Sequence, residues 1–190
     1  MEIGLFFGSF DPVHLGHEMI VSNILKKKYF NQIWIILSPQ SPHKTSQIIS
    51  KKEDRLCMLN KTFNNTKNIF ISNVEFELQK PNYTIDTMLY LKKKFPNHVF
   101  SLIMGSDNFL KIHTWKNYKD IINNYKFYVY PRKGHDVTTN LSQKENIIFL
   151  DFPTIQFSSK LIRLGISKKN NMKDYLTKPV LEYILLKKIY

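Results

Sequence analysis

The chain has a single cysteine, Cys57, in 190 residues, which excludes an internal disulfide. No apolar run approaches membrane-spanning length. The opening Met-Glu-Ile-Gly-Leu-Phe-Phe-Gly lacks the basic and long apolar stretches of a signal peptide, so a cytoplasmic protein is expected. Alanine is absent, and arginine occurs only at Arg55, Arg132 and Arg163. Acidic residues are scarce as well, 15 against 28 basic ones, for a formal net charge of +13. A surplus of this size can mark a polyanion partner. Lys, Asn, Ile, Phe and Tyr, the residues of A/T-rich codons, are abundant at the same time. Lysine clusters such as Lys26, Lys27, Lys28 and Lys92, Lys93, Lys94 therefore read as solvated helix surface rather than as a nucleic-acid footprint. With 43% hydrophobic residues, the chain has the material of a packed globular core, which excludes a disordered or collagen-like polymer. One domain over residues 1–190 is expected.

Short apolar runs alternate with segments of helical periodicity. Ile3–Phe7, Ile33–Leu37, Ile69–Ser72, Val99–Met104, Phe127–Tyr130 and Ile147–Leu150 read as strands. His17–Lys28, Lys52–Phe63, Ile85–Phe95 and Tyr118–Asn123 read as helices between them, with Ser158–Ile166 and Lys178–Lys188 after the last strand. Ile33–Leu37 is uninterrupted by polar residues, as in a strand covered on both faces. The expected class is α/β, a doubly wound and mainly parallel sheet with C-terminal helices. Its ligands should sit at the carboxyl ends of the strands. Arg132–Asn146 is polar and reads as a surface loop.

The first strand runs into Gly8-Ser9-Phe10-Asp11-Pro12-Val13-His14-Leu15-Gly16-His17. Glycines let a phosphate approach the backbone, a helix start offers unpaired N–H groups, and imidazoles can donate to phosphate oxygens. A tight turn with a capping histidine is the competing reading. A second such element, Phe157-Ser158-Ser159-Lys160-Leu161-Ile162-Arg163, follows the last strand. Ser158 can cap the helix, both serines can donate hydroxyls, and Arg163 brings five N–H donors one turn along. No GxGxxG pattern is present, which argues against a dinucleotide-binding oxidoreductase.

His14-Leu15-Gly16-His17 resembles the HxGH signature of the nucleotidylyltransferase superfamily, and Phe157–Arg163 resembles its ISSTxIR element, with Phe157 in place of isoleucine and Lys160 in place of a small hydroxyl residue. Other segments resemble the bacterial nicotinate mononucleotide adenylyltransferases in particular. These are Ser41-Pro42-His43-Lys44, Pro81-Asn82-Tyr83-Thr84, Gly105-Ser106-Asp107-Asn108 with Thr114-Trp115, and the closing Lys178–Ile184.

The resemblance implies a Rossmann-like nucleotidylyltransferase domain that joins ATP to nicotinate mononucleotide, giving nicotinate adenine dinucleotide and pyrophosphate. It implies that His14, His17 and Arg163 are catalytic. It also implies that Gly8, Ser9, Phe10, Gly105, Asp107, Ser158 and Ser159 join them in binding ATP. For the mononucleotide it implies Lys44, Tyr83, Thr84, Trp115, Lys116 and Arg132. Thr84 at a helix start suits a carboxylate and the Trp115 face suits a pyridine, with a plain N-cap and core packing as their competing readings. Asp107 after a strand and a glycine suits ribose hydroxyls, against a capping role. Mg²⁺ is expected with ATP.

His43, His98, His113 and His135 show no zinc spacing, and no protein-held metal is expected. Cys57 reads as a small buried hydrophobe and Arg55 as structural. No membrane or specific nucleic-acid partner is expected, and the resemblance allows a homo-oligomer. Alternatives are an enzyme using nicotinamide mononucleotide or phosphopantetheine, a nucleic-acid-binding module, and a decayed nucleotide sensor.

Overall fold

A computed structural model describes residues 1–39, 50–137, 144–154 and 156–190. Six strands form one sheet: β1 (Glu2–Gly8), β2 (Gln32–Leu37), β3 (Ile69–Ser72), β4 (Val99–Gly105), β5 (Lys126–Tyr130) and β6 (Ile147–Phe149). Their spatial order is β3-β2-β1-β4-β5-β6, and every pairing is parallel. Parallel neighbours need crossovers, which the helices supply. These are α1 (Leu15–Lys26), α2 (Lys52–Phe63), α3 (Thr84–Lys94), α4 (Ser106–Phe109) and α5 (Tyr118–Asn124), followed by α6 (Ser159–Ser167) and α7 (Lys178–Lys187). Two short 3-10 turns, Val74–Phe76 and Ile112–Thr114, complete the described elements.

β2 shows why the sheet is covered on both faces. Successive side chains of a strand point to opposite faces. Ile33, Ile35 and Leu37 enter a core with residues of α1, α2, α6 and α7, while Trp34 and Ile36 enter a second core with residues of α3, α4 and α5. Apolar residues at both parities are what this requires, and the Gln-Ile-Trp-Ile-Ile-Leu run supplies them. Ile33, Ile35, Ile36 and Leu37 are completely buried, each contributing roughly 1.5–3 kcal/mol through removal of apolar surface from water.

The order reverses between β1 and β4. β1 runs on into α1 against one core, and β4 runs on into α4 against the other, so the switch point of the strand order, where ligands of open α/β sheets bind, lies beyond Gly8 and Gly105. The expected doubly wound sheet is present, and its strand and helix limits fall within about two residues of those read from periodicity. Short turns such as α4 and the two 3-10 segments carry too few residues to leave a periodic signal, and sequence reading passed over them.

Candidate active site

At the end of β1 the chain turns through Ser9–Val13 before α1 begins. Phe10 takes a left-handed backbone conformation, φ 45°, which a bulky residue adopts only when its surroundings hold it. Its ring is buried, edge-on to Phe6 and to His17 at centroid distances of 5.5 and 5.0 Å. A Cβ on Gly8 would come within 2.9 Å of that ring, so the glycine is required by close approach. Phe10 itself is 2% exposed, so its ring packs inward and has little surface to offer a ligand.

His14 is the N-cap of α1, and its backbone N–H donates to His17 Nδ1 at 3.2 Å. With Nδ1 accepting, the proton of a neutral His17 ring sits on Nε2. The two imidazoles stack 3.7 Å apart at 21°. Burial, and then the Arg132 charge, lower the His14 pKa to about 3. Burial, His14 and Arg132 likewise hold His17 well below its ordinary value. Both rings are therefore neutral at pH 7, one N–H donor each, and Nδ1 of the buried His14 has no partner among the described residues.

Arg55, read from sequence as structural, proves to anchor this loop. From α2 its guanidinium donates to the carbonyls of Ser9 (3.1 Å), Ser38 (2.7 Å) and Pro39 (3.2 Å), joining the ends of β1 and β2 from a buried position. Cys57 on the same helix is half-buried, a departure from the full burial expected of it, because it lies toward the helix flank rather than on the face carrying Arg55, Met58 and Leu59.

The start of α6 docks on the same loop. Ser158 is its N-cap, accepting from the Leu161 N–H at 3.3 Å. Ser159 Oγ donates to the Pro12 carbonyl at 2.9 Å, and Arg163 Nη1 donates to the Asp11 carbonyl at 2.6 Å. Residues about 150 apart in the chain thus bring the two anion-binding elements together. The Ser159 hydroxyl proton is committed to Pro12, so what remains for a phosphate is its backbone N–H at the helix start. Lys160 is exposed. Asp11, quoted in the motif but given no role there, is 1% exposed and accepts hydrogen bonds from Ser50 and Tyr190. Those contacts span 39 and 179 residues, and no local pattern could have foretold them.

Across the switch point, Gly105 caps α4 and Asp107 lies within the helix, so Asp107 is not its cap. A Cβ on Gly105 would collide with the Asp107 carboxylate. Arg132 was expected to be a mononucleotide contact at the start of a surface loop. Its side chain is instead 20% exposed, with Nε 3.8 Å from Asp107 and Nη1 donating to the Phe157 carbonyl at 3.2 Å. It lies near enough to His14 and His17 for its charge to lower their pKa values. Asp107 Oδ1 and Arg132 Nε are both shielded from water and without a hydrogen-bond partner among the described residues, a loose pair that ribose hydroxyls can complete.

The remaining candidates gather at the start of α3. Tyr83 is the N-cap and Thr84 the first helical residue, so Thr84 does not cap, and its neighbouring N–H groups point out of the helix end. Lys116 bonds Asp86 at 2.9 Å and lies 4.8 Å from the Tyr83 ring centre. Trp115 is half-buried at the edge of the second core, not inside it. Beneath, the buried Glu75 accepts from Thr87 Oγ1 at 2.9 Å and its carbonyl accepts from Asn82 at 2.7 Å, a brace under the helix start. Sequence reading missed Glu75, a lone acid without a spacing signature. Lys44 and its motif lie outside the described residues. Among the described residues no group of three or more His, Cys, Asp or Glu side chains could hold a metal ion, and no helix is long and apolar enough to cross a membrane.

The sequence pattern of the family described as Cytidylyltransferase-like matches residues 5–165. A Flavobacterium psychrophilum protein named "Probable nicotinate-nucleotide adenylyltransferase" is 37% identical over 185 residues, covering 97% of this chain and 96% of the relative. A Cytophaga hutchinsonii protein of the same name is 36% identical over 190 residues, covering 100% and 98%. Among solved structures, the Plasmodium falciparum nicotinic acid mononucleotide adenylyltransferase complexed with NaAD superposes with a TM-score of 0.85 at 20% identity, covering 100% of this chain and 97% of that one.

Proposed function

The chain belongs to the cytidylyltransferase-like family, on its nicotinate-nucleotide adenylyltransferase branch, and from that premise we propose how its residues divide the work. The enzyme transfers the adenylyl group of ATP to nicotinate mononucleotide, forming nicotinate adenine dinucleotide and pyrophosphate, a step of NAD biosynthesis. Residues 1–190 act as one nucleotidylyltransferase domain, in the cytoplasm where ATP is found.

The mononucleotide phosphate is anionic at neutral pH, so no side chain has to remove a proton from it. One of its oxygens attacks the α-phosphorus in line as the bond to pyrophosphate breaks, with no covalent enzyme intermediate. The β- and γ-phosphates lie between the neutral His14 and His17 donors, the α6 start at Ser158 and Ser159, and the Arg163 guanidinium. These groups stabilise charge as it moves onto pyrophosphate. The observation carrying this reading is the Arg163 hydrogen bond to the Asp11 carbonyl at 2.6 Å, which joins the two anion-binding elements. Mg²⁺ arrives as part of the ATP substrate, held by phosphate and water, and the donor-rich, carboxylate-poor surface of these two elements suits that complex. Gly8, Ser9, Gly105 and Asp107 take the nucleoside part, with Arg132 bracing Asp107.

On the mononucleotide side, Trp115 stacks on the pyridine ring while the N–H groups at Tyr83 and Thr84, beside Lys116, receive its carboxylate. A helix start supplies donors alone, which favours the acid over the amide. Lys44 completes the phosphate site. Pyrophosphate release from Mg-ATP with nicotinate mononucleotide, nicotinamide mononucleotide or phosphopantetheine, with the product identified by mass, tests the reading. Turnover should be strongest with nicotinate mononucleotide; preference for another acceptor overturns the pocket assignment, and no turnover by folded protein overturns the activity.

A further inference from the structure

We infer that Tyr190 is a positioning residue for adenylyl transfer, its phenol holding the Asp11 carboxylate in a posture that leaves the Arg163 guanidinium available to the triphosphate. This rests on the assignment of Arg163 to the phosphates.

Asp11 carries a buried negative charge inside a loop built to receive anions. Left alone, it would compete with the triphosphate for the nearest cation. The structure shows how it is kept occupied. Tyr190 Oη and Ser50 Oγ both donate to Asp11 Oδ1, the Ser50 N–H adds a contact at 3.2 Å, and the two hydroxyl oxygens are 3.2 Å from each other. Arg163 Nη1 stands 3.8 Å from Oδ2, beyond hydrogen-bond length, and donates instead to the Asp11 carbonyl. The arginine is thus fixed by a backbone oxygen while Tyr190 and Ser50 supply the carboxylate, the Ser50 N–H reaching Oδ2 as well at 3.3 Å.

The path of the chain puts the phenol there. α7 closes at Lys188 with φ 52°, and the Ile189 N–H returns to the Ile184 carbonyl at 3.0 Å, turning Tyr190 back toward the β1 loop. Burial and the Asp11 charge push the Tyr190 hydroxyl above its ordinary pKa, so it remains a donor at working pH. Among the described residues, the charged groups facing this cluster are Asp11, Arg55 and Arg163. Without the phenolic hydrogen bond, Oδ1 keeps Ser50 alone as a donor among the described residues, and the carboxylate draws Nη1 across the 3.8 Å gap, away from an incoming phosphate.

Tyr190→Phe keeps the ring and removes only the hydroxyl. Mg-ATP binding by calorimetry should weaken about tenfold, the scale of one hydrogen bond to a charged group. The KM for nicotinate mononucleotide should be nearly unchanged, while the urea midpoint should fall, because a buried carboxylate loses one of its donors. Adding Asp11→Asn to this variant should recover part of the ATP affinity, because the amide has no charge with which to capture Arg163; a merely structural role predicts no such recovery. Wild-type affinity in Tyr190→Phe overturns the inference, as does a joint fall in ATP affinity and urea midpoint without recovery in the double variant. Because the calorimetric readout needs no acceptor, a wild-type enzyme inactive with nicotinate mononucleotide counts against the function reading alone.

Discussion

The loop after β1 and the start of α6 meet through part-buried groups over a buried loop, whereas the start of α3 meets the turn at residues 112–116 through exposed ones. In the first region Asp11, His14 and Arg55 are each at most 3% exposed, and hydrogen bonds from Arg55, Ser159 and Arg163 cross between elements. In the second, the link above the buried Glu75 brace is an ion pair, Lys116 to Asp86, with both side chains more than 40% exposed. Such a pair contributes about 0–1 kcal/mol and is weakened by salt. The region proposed for the triphosphate is therefore set before ligand arrives, and the region proposed for the ring relies on the ligand to complete it. Transferring a charged phosphoryl group needs donors already in place, because reorganising them during the reaction costs rate. A flat ring needs little more than a flat partner.

Breaking the set region should have the larger effect. Arg163→Ala, or His17→Ala, should lower kcat by about 10²-fold or more, the scale of losing one pre-positioned stabiliser of transition-state charge. Steady-state turnover of variants with wild-type circular dichroism measures it, and wild-type turnover in either would remove that residue from the mechanism.

The buried histidines also leave a signature in stability. The folded His14 pKa is about 3 against an ordinary 6.5, so the unfolded chain takes up a proton as pH falls through 6.5 while the folded chain does not. Its contribution is complete above that value and is lost progressively as pH falls toward 3. By pH 5 the loss from His14 should reach about 2 kcal/mol, with His17 adding in the same direction. Urea unfolding at pH 7.5 and 5 would show it, and His14→Gln should reduce the difference, leaving the part due to His17; a difference unchanged by the substitution would mean that the His14 imidazole is charged in the folded state.

Trp115→Ala should have the smallest effect of the three. KM for nicotinate mononucleotide should rise about tenfold and kcat should change little, as expected when binding common to ground and transition states is removed. A fall in kcat with KM unchanged would move Trp115 from holding the ring to aligning the attack.

Periodicity in the sequence was enough to outline the sheet, because β2 and β4 are apolar at both parities and their flanking helices carry apolar residues three and four apart. The two helix starts proposed to bind anions stand out in sequence for a related reason: glycines, serines and histidines mark the local geometry of a helix start. What stayed hidden are the contacts that fix those elements to each other. Arg55 looks like any basic residue on an amphipathic helix until its three carbonyl partners are seen. Asp11 and Tyr190 meet across the length of the fold, where no spacing rule operates. Arg132 reads as the first residue of a polar loop, and only the parallel pairing of β4 with β5 brings it to Asp107.

The bond from Arg163 to the Asp11 carbonyl closes a separation of 152 residues. A ribosome adding about 5–20 residues per second needs on the order of ten seconds to make the stretch between them. During that time β1 and α1 can form, and β2 and β4 can flank them, while the histidine pair waits without its facing arginine. A growing chain can thus acquire most of its sheet before the arginine reaches the loop, so the site proposed for the triphosphate is completed late in the life of each molecule.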